Sequence, residues 1–187
     1  MSNRKTNPLN DLKVLILLSL LAAISILCGK YLAFPSGGDS ILRFSFENLP
    51  ILLSAIYFGP LAGILVGVMA DLLGCLMVGY AINPVITAGA AAIGLVGGLL
   101  PRILPKRLPR LLCLVLTVSI AHMIGSVLIK TFGLAAYYDM PFFILMLWRL
   151  LNYTIITVLE TALLYFLGKN PAIARQLRRF SKNSHLF

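Results

Sequence analysis

The chain has 187 residues, 59% of them hydrophobic and 12% charged, with a mean hydropathy of +0.94. A composition this apolar excludes an ordinary soluble domain and makes lipid the solvent. The net charge of +10 comes from sixteen Lys and Arg against six acids, and the bases cluster between and beyond apolar runs, which fits membrane orientation and argues against nucleic-acid binding. Cys28, Cys75 and Cys113 all lie inside apolar runs, are odd in number and form no CxxC, so they read as small buried hydrophobes.

A transmembrane helix needs about 20 apolar residues. The first candidate runs from Leu12 to Phe34 and reads as a span, with no small-residue cleavage site after it. Lys30, near its far end, is expected to snorkel outward. A polar string follows, Arg43-Phe44-Ser45-Phe46-Glu47-Asn48-Leu49-Pro50, at the mouth of a short second segment, Phe46 to Phe58. Charge at membrane depth is costly and usually functional, so this string marks a polar site. Glu47 and Asn48 are also placed to cap the second helix. The second segment is short for a full crossing and fits a tilted helix or half of a re-entrant hairpin.

Gly59-Pro60 breaks the chain before a third segment, Leu61 to Tyr80, and Asn83-Pro84 breaks it again before a fourth, Val85 to Ile103. Gly59, Gly63 and Gly67 form a stripe at i, i+4, i+8, and Ala90, Gly94 and Gly98 form another. Such stripes let helix backbones approach closely, within this protein or against another membrane subunit. Asp71, inside the third segment, suits an ion pair, a helix-end hydrogen bond or a ligand contact equally.

A fifth segment runs from Leu108 to Phe132, and Thr131–Met140 is expected to be a loop. His122 and Ser126 share a face of this helix, with Lys130 at its end. No second His or Cys is spaced to complete a metal site. The sixth segment runs from Pro141 to Gly168. Its Arg149, Asn152 and Tyr153 share a face, with Glu160 further along nearly the same face, so that face lines an interior or cavity. Trp148 beside it suits an interfacial anchor or a stacking wall.

Arg4, Lys5 and Lys13, the Arg102–Arg110 bases and the Lys169–Lys182 bases put twelve of the sixteen on one side. The expected fold is therefore an all-α integral membrane protein with six transmembrane helices and both termini cytoplasmic. Its parts are a cytoplasmic N-terminus (1–11), a membrane domain (12–168) and a basic cytoplasmic tail (169–187). The outer ends then collect Lys30, Arg43, Lys130 and Arg149 with Phe44, Phe46, Tyr137, Tyr138 and Trp148, a mixture suited to a ligand with an anionic end and an aromatic body. There is no GxxxxGK[ST], HExxH, GxSxG or paired-carboxylate motif, so the chain is not expected to be an enzyme or to hold ATP itself, and no cofactor or metal is called for. No inverted repeat stands out, which weighs against a self-sufficient carrier or channel without removing it.

The string Arg43–Pro50, its continuation to Phe58-Gly59-Pro60-Leu61-Ala62-Gly63, and Met69-Ala70-Asp71-Leu72-Leu73-Gly74 resemble the S components of energy-coupling factor (ECF) transporters, most closely the folate-specific ones. Tyr80–Pro84, Gly94–Pro101 and Trp148-Arg149 fit the same pattern, so the likeness covers about residues 12–168. The resemblance implies a six-helix subunit of the bacterial cell membrane that captures folate outside, pairs with a T component and two ABC-type ATPases, and tips over to release its ligand inside. It implies a partner contact at Ser19, Ala22 and Ala23, where family members carry Ala-x-x-x-Ala. The candidate ligand set is Arg43, Phe44, Glu47, Asp71, Asn83, His122, Lys130, Trp148, Arg149, Asn152 and Tyr153. Asp71 or Glu47 would accept from the pterin, and Arg43, Lys130 or Arg149 would hold the glutamate carboxylates. Another vitamin is the alternative within the class.

Overall fold

The computed structural model describes residues 11–35, 43–105 and 107–171. The basic residues of the N-terminus before 11 and of the tail after 171, together with Lys106, lie outside the described residues, as do the side chains of Arg43 and Tyr138. Helix α1 (Leu12–Ile26) starts at Asp11, whose carboxylate accepts from the Lys13 N–H, and continues as a π-helical turn, Leu27–Tyr31. Two-residue strands β1 (Phe34–Pro35) and β2 (Arg43–Phe44) pair antiparallel, Phe34 opposite Phe44 and Pro35 opposite Arg43. Then come α2 (Asn48–Phe58), α3 (Pro60–Val78), α4 (Pro84–Ile103) and α5 (Arg110–Ala121). A second π-helical turn, His122–Ile129, carries α5 directly into α6 (Lys130–Tyr138), and α7 (Phe142–Lys169) closes the bundle.

The breaks have local causes. Gly59 sits at φ 106, where a side chain is strained, and Pro60 opens α3 at a position that needs no N–H donor. Asn83 caps α4 by accepting from the Val85 N–H at 3.0 Å. The Thr131–Met140 stretch is helical up to Tyr138, against the expectation of a loop. The helical run passes straight through Lys130 and ends only where Asp139 turns left-handed (φ 50) ahead of Pro141.

Among the described residues, five helical runs are long and apolar enough to cross a membrane: Leu12–Tyr31, Pro60–Val78, Pro84–Ile103, Arg110–Tyr137 and Phe142–Lys169. The sixth helix, α2, has 11 residues. At 1.5 Å per residue it reaches about 16 Å, half the hydrocarbon thickness of about 30 Å. It is the axis of the bundle: Leu52, Ala55 and Ile56 are completely buried, packed with Val14 and Leu18 of α1, Val66 of α3, Ile93 of α4, Val118 of α5 and Leu164 of α7. Leucines such as Leu61, Leu65, Leu76 and Leu163 stay on outer faces, as lipid contact requires.

The two small-residue stripes meet each other. A Cβ on Gly63 would stand 2.7 Å from the Gly94 carbonyl oxygen, one on Gly67 2.6 Å from that of Ala90, and one on Gly98 would overlap Pro60. Both stripes are therefore spent on the α3–α4 interface inside this protein.

Candidate ligand site

At the end of the bundle where α1 and α3 finish and α2 and α4 begin, the helices enclose a cavity of about 320 Å³. The first π-helical turn supplies Lys30, and the loop before α2 supplies Ser45 and Glu47. Helix α3 adds Asp71 and Cys75, the α3–α4 connection Tyr80 and Ala81, α4 Ile86, α6 Lys130 and Leu134, and α7 Arg149 and Tyr153. A niche of about 20 Å³ shares Lys30, Glu47, Asp71 and Lys130 with this cavity and also touches Ser25 and Gly67. That is room for one water or one small polar group. Few charges among apolar and aromatic walls are the usual make-up of a small-molecule site.

The charges are fixed by specific partners. Lys130 Nζ donates to Glu47 Oε1 at 2.8 Å. The Thr87 hydroxyl donates to Asp71 Oδ2 at 2.6 Å. Lys30 Nζ lies 3.9 Å from Cys75 Sγ and 5.5 Å from the Tyr80 ring centroid. Arg149 donates from Nε and Nη2 to the Ser126 carbonyl at 3.1 and 2.9 Å and stacks over Tyr153, its Cζ 5.3 Å from the ring centroid. Three cations thus face two carboxylates. Three glycines make room for them. A Cβ on Gly29 would lie 2.6 Å from Glu47 Oε2, one on Gly74 2.9 Å from Lys30 Cε, and one on Gly89 2.6 Å from Lys130 Cγ.

Behind the cavity lies a second polar layer. His122 Nε2 and Glu160 Oε2 are 2.8 Å apart and completely enclosed, at 1% and 0% exposure. His122 Nδ1 and Asn48 Nδ2 each lie 3.4 Å from the Ser126 hydroxyl, and the His122 and Tyr153 rings are 5.0 Å apart. Ser126 therefore touches the cavity layer through its carbonyl and the core layer through its hydroxyl.

Residues 13–170 match the family model described as ECF transporter, substrate-specific component. The chain belongs to that family. It is a multi-pass membrane component of a transporter and not an enzyme. This S component is similar in fold to the crystal structure of FolT bound with folic acid, with TM-score 0.69 and 20% identity over 85% of this chain and 93% of that one. It is also similar to the S component of a bacterial ECF transporter, with TM-score 0.61 and 24% identity over 83% of this chain and 95% of that one. No curated protein sequence matches it.

Of the residues picked out in the sequence, the S component brings Glu47, Asp71, Lys130, Arg149 and Tyr153 together on the cavity wall. Phe44 packs beside them, against the cluster of Val127, Tyr153 and Ile156. The others sit elsewhere. Asn83 caps α4 and donates to the Gly133 carbonyl at 3.0 Å, tying α4 to α6. His122 is a core residue, and Asn152 is buried on α7 away from the cavity wall. Trp148 is 54% exposed on the outer face of α7, one helical step from Arg149, and does not line the cavity. Arg43 is placed by its backbone pairing in β2, while its side chain lies outside the described residues. On α1, Ser19 and Ala23 share an exposed face, whereas Ala22 is 7% exposed and packs into the core, a third of a turn away.

Lys30 corrects a second expectation: it folds inward over Gly74 toward Tyr80 instead of snorkelling out. Ser45, Cys75, Tyr80 and Leu134 on the wall and Ser126 behind it were not in the candidate ligand set. Ser45 had a signal in the polar string and Ser126 in the face it shares with His122; the rest look like ordinary helix residues.

Proposed function

We propose that this S component binds folate or a reduced folate in the 320 Å³ cavity, captures it at the outer face, and passes it inward with an ECF T component and two ABC-type ATPases. The observation that carries the ligand assignment is the cavity's charge pattern, Lys30, Lys130 and Arg149 against Glu47 and Asp71, beside the rings of Tyr80 and Tyr153. In this reading the amino and N–H edge of the pterin enters toward Asp71 and Glu47 at the niche, where one small polar donor fits. The aromatic body lies along the tyrosines, and the glutamate carboxylates meet Lys30 and Arg149. The fold shared with a FolT bound with folic acid supports the same ligand. The outward-facing mouth and cytoplasmic termini rest on the charge bias of the sequence, which puts twelve of sixteen bases in the N-terminus, the connection between the fourth and fifth segments, and the tail.

Isothermal calorimetry on the purified chain in lipid nanodiscs, without ATP, tests the ligand. Saturable binding of folate or 5-formyltetrahydrofolate is expected. Heat from neither, with a different vitamin raising the melting temperature in a thermal-shift panel, would reassign the ligand.

A further inference from the structure

The geometry points to the second π-helical turn, His122–Ile129, as the positioning element for the cavity's arginine: it releases the Ser126 main-chain carbonyl, and that carbonyl holds the Arg149 guanidinium in place for an anionic group. In a regular α-helix the Ser126 carbonyl accepts from the N–H four residues on, that of Lys130. Here the Lys130 N–H closes on the Gly125 carbonyl five residues back. The helical donor is thereby taken from Ser126, in the middle of a membrane helix where an unsatisfied carbonyl is costly. Arg149 supplies the replacement, with two N–H groups on the one oxygen at 3.1 and 2.9 Å.

Two further contacts stiffen this arrangement. The Tyr153 ring lies beneath the guanidinium, its centroid 5.3 Å from Cζ. The Ser126 hydroxyl, 3.4 Å from both Asn48 Nδ2 and His122 Nδ1, ties the same residue to α2 and to the buried His122–Glu160 pair. A long arginine side chain is thus fixed by its Nε edge before any ligand arrives, which lowers the ordering cost of binding. The bulge is a local distortion of a kind that recurs at functional sites. The inference rests on the reading of the cavity as an anion-accepting site, and it assigns to Ser126 a positioning role and no ligand contact.

Deleting Leu128, which is 47% exposed on the outer face, brings the Thr131 N–H to the fourth place after Ser126 and returns a helical donor to that carbonyl. The full chain and this variant are compared in nanodiscs by mass-spectrometric rates of phenylglyoxal modification at Arg149 and by folate titration. Modification of Arg149 is expected to be at least about fivefold faster in the variant, and folate affinity lower by about tenfold, the worth of a charged hydrogen bond. Equal modification rates overturn the inference whether or not folate binds, so a failure of the folate reading is seen separately, as an absence of binding by the wild-type chain. Should the deletion variant fail to fold, Arg149→Lys decides. Lysine keeps the charge but has no fork for the Ser126 carbonyl, and its folate affinity is expected to fall to within about threefold of Arg149→Ala. Wild-type affinity in Arg149→Lys would overturn the inference.

Discussion

Glu47 Oε1 and Lys130 Nζ meet at 2.8 Å on the wall of the cavity, joining the loop before α2 to the first residue of α6, 83 positions along the chain. Lys130 is enclosed while Glu47 keeps partial access to the cavity. Removing one partner leaves the other charge poorly solvated, so Lys130→Ala is expected to destabilise the fold by about 2–3 kcal/mol. The double variant Glu47→Gln/Lys130→Met should lose less than the sum of the two single changes, measured by denaturation in detergent. Strict additivity would mean that the pair contributes nothing as a pair.

The buried His122–Glu160 contact makes a sharper demand. Each group is the other's hydrogen-bonding partner in an enclosed site, so His122→Ala strands a carboxyl in the core and should cost about 3–5 kcal/mol. Glu160→Gln keeps a hydrogen-bonding side chain of the same shape and should cost no more than about 1.5 kcal/mol. Melting temperatures in the same detergent, run side by side, would expose the asymmetry or its absence.

Gly89→Ala tests the glycine cradle. The new Cβ would press on Lys130 Cγ and stand 2.8 Å from the Gly125 carbonyl, both on the helical run that leads into α6. Overpacking of this kind costs about 1–3 kcal/mol, and ligand affinity should fall with it because Lys130 is pushed along the cavity wall. Unchanged affinity and melting temperature together would show that α4 has slack there.

Lys30→Gln removes a cavity cation without touching the core. Folate affinity is expected to drop by about tenfold, with less than about 0.5 kcal/mol change in stability. A titration in which the variant matches the wild type would leave the glutamate tail to Arg149 alone.

The exposed face of α1 separates docking from folding. Ala23→Trp, on the outer face, should leave folate binding intact and abolish uptake by proteoliposomes containing the T component and ATPases. Ala22→Trp, one step round the helix, fills a core position and should lower the melting temperature instead. Liposomes holding this chain alone should take up nothing; uptake by them would revive the self-sufficient carrier.

The five long segments and the short second one were legible because each is an apolar run bounded by a residue with a local effect, Gly59-Pro60 and Asn83-Pro84 above all. Four cavity residues, Glu47, Asp71, Lys130 and Arg149, were legible for a related reason, since a charge beside or inside such a run needs a partner, and Tyr153 because it shares a helix face with Arg149. What was not legible depends on tertiary contact. Nothing in the spacing of His122 and Glu160, 38 residues apart on different helices, announces that they meet. The two π-helical turns have no composition of their own, and they move Lys30 and the Ser126 carbonyl to places that a 3.6-residue period does not foresee. Helix α6 was hidden because Thr131–Tyr138, with Gly133 and two tyrosines, has the composition of a loop while its backbone continues the helix before it.

Helix α2 stops short, and its polar N-terminus, with Glu47 at its cap, stands at the inner edge of the cavity. Only about 16 Å of packed protein lies along that axis, against about 30 Å of hydrocarbon. In the proposed orientation, a ligand resting on Glu47 would have crossed about half the insulating layer by diffusion alone. In the proposed function, the ATP-driven partners would be left with the shorter journey, and with breaking a grip instead of hauling a charged molecule through oil.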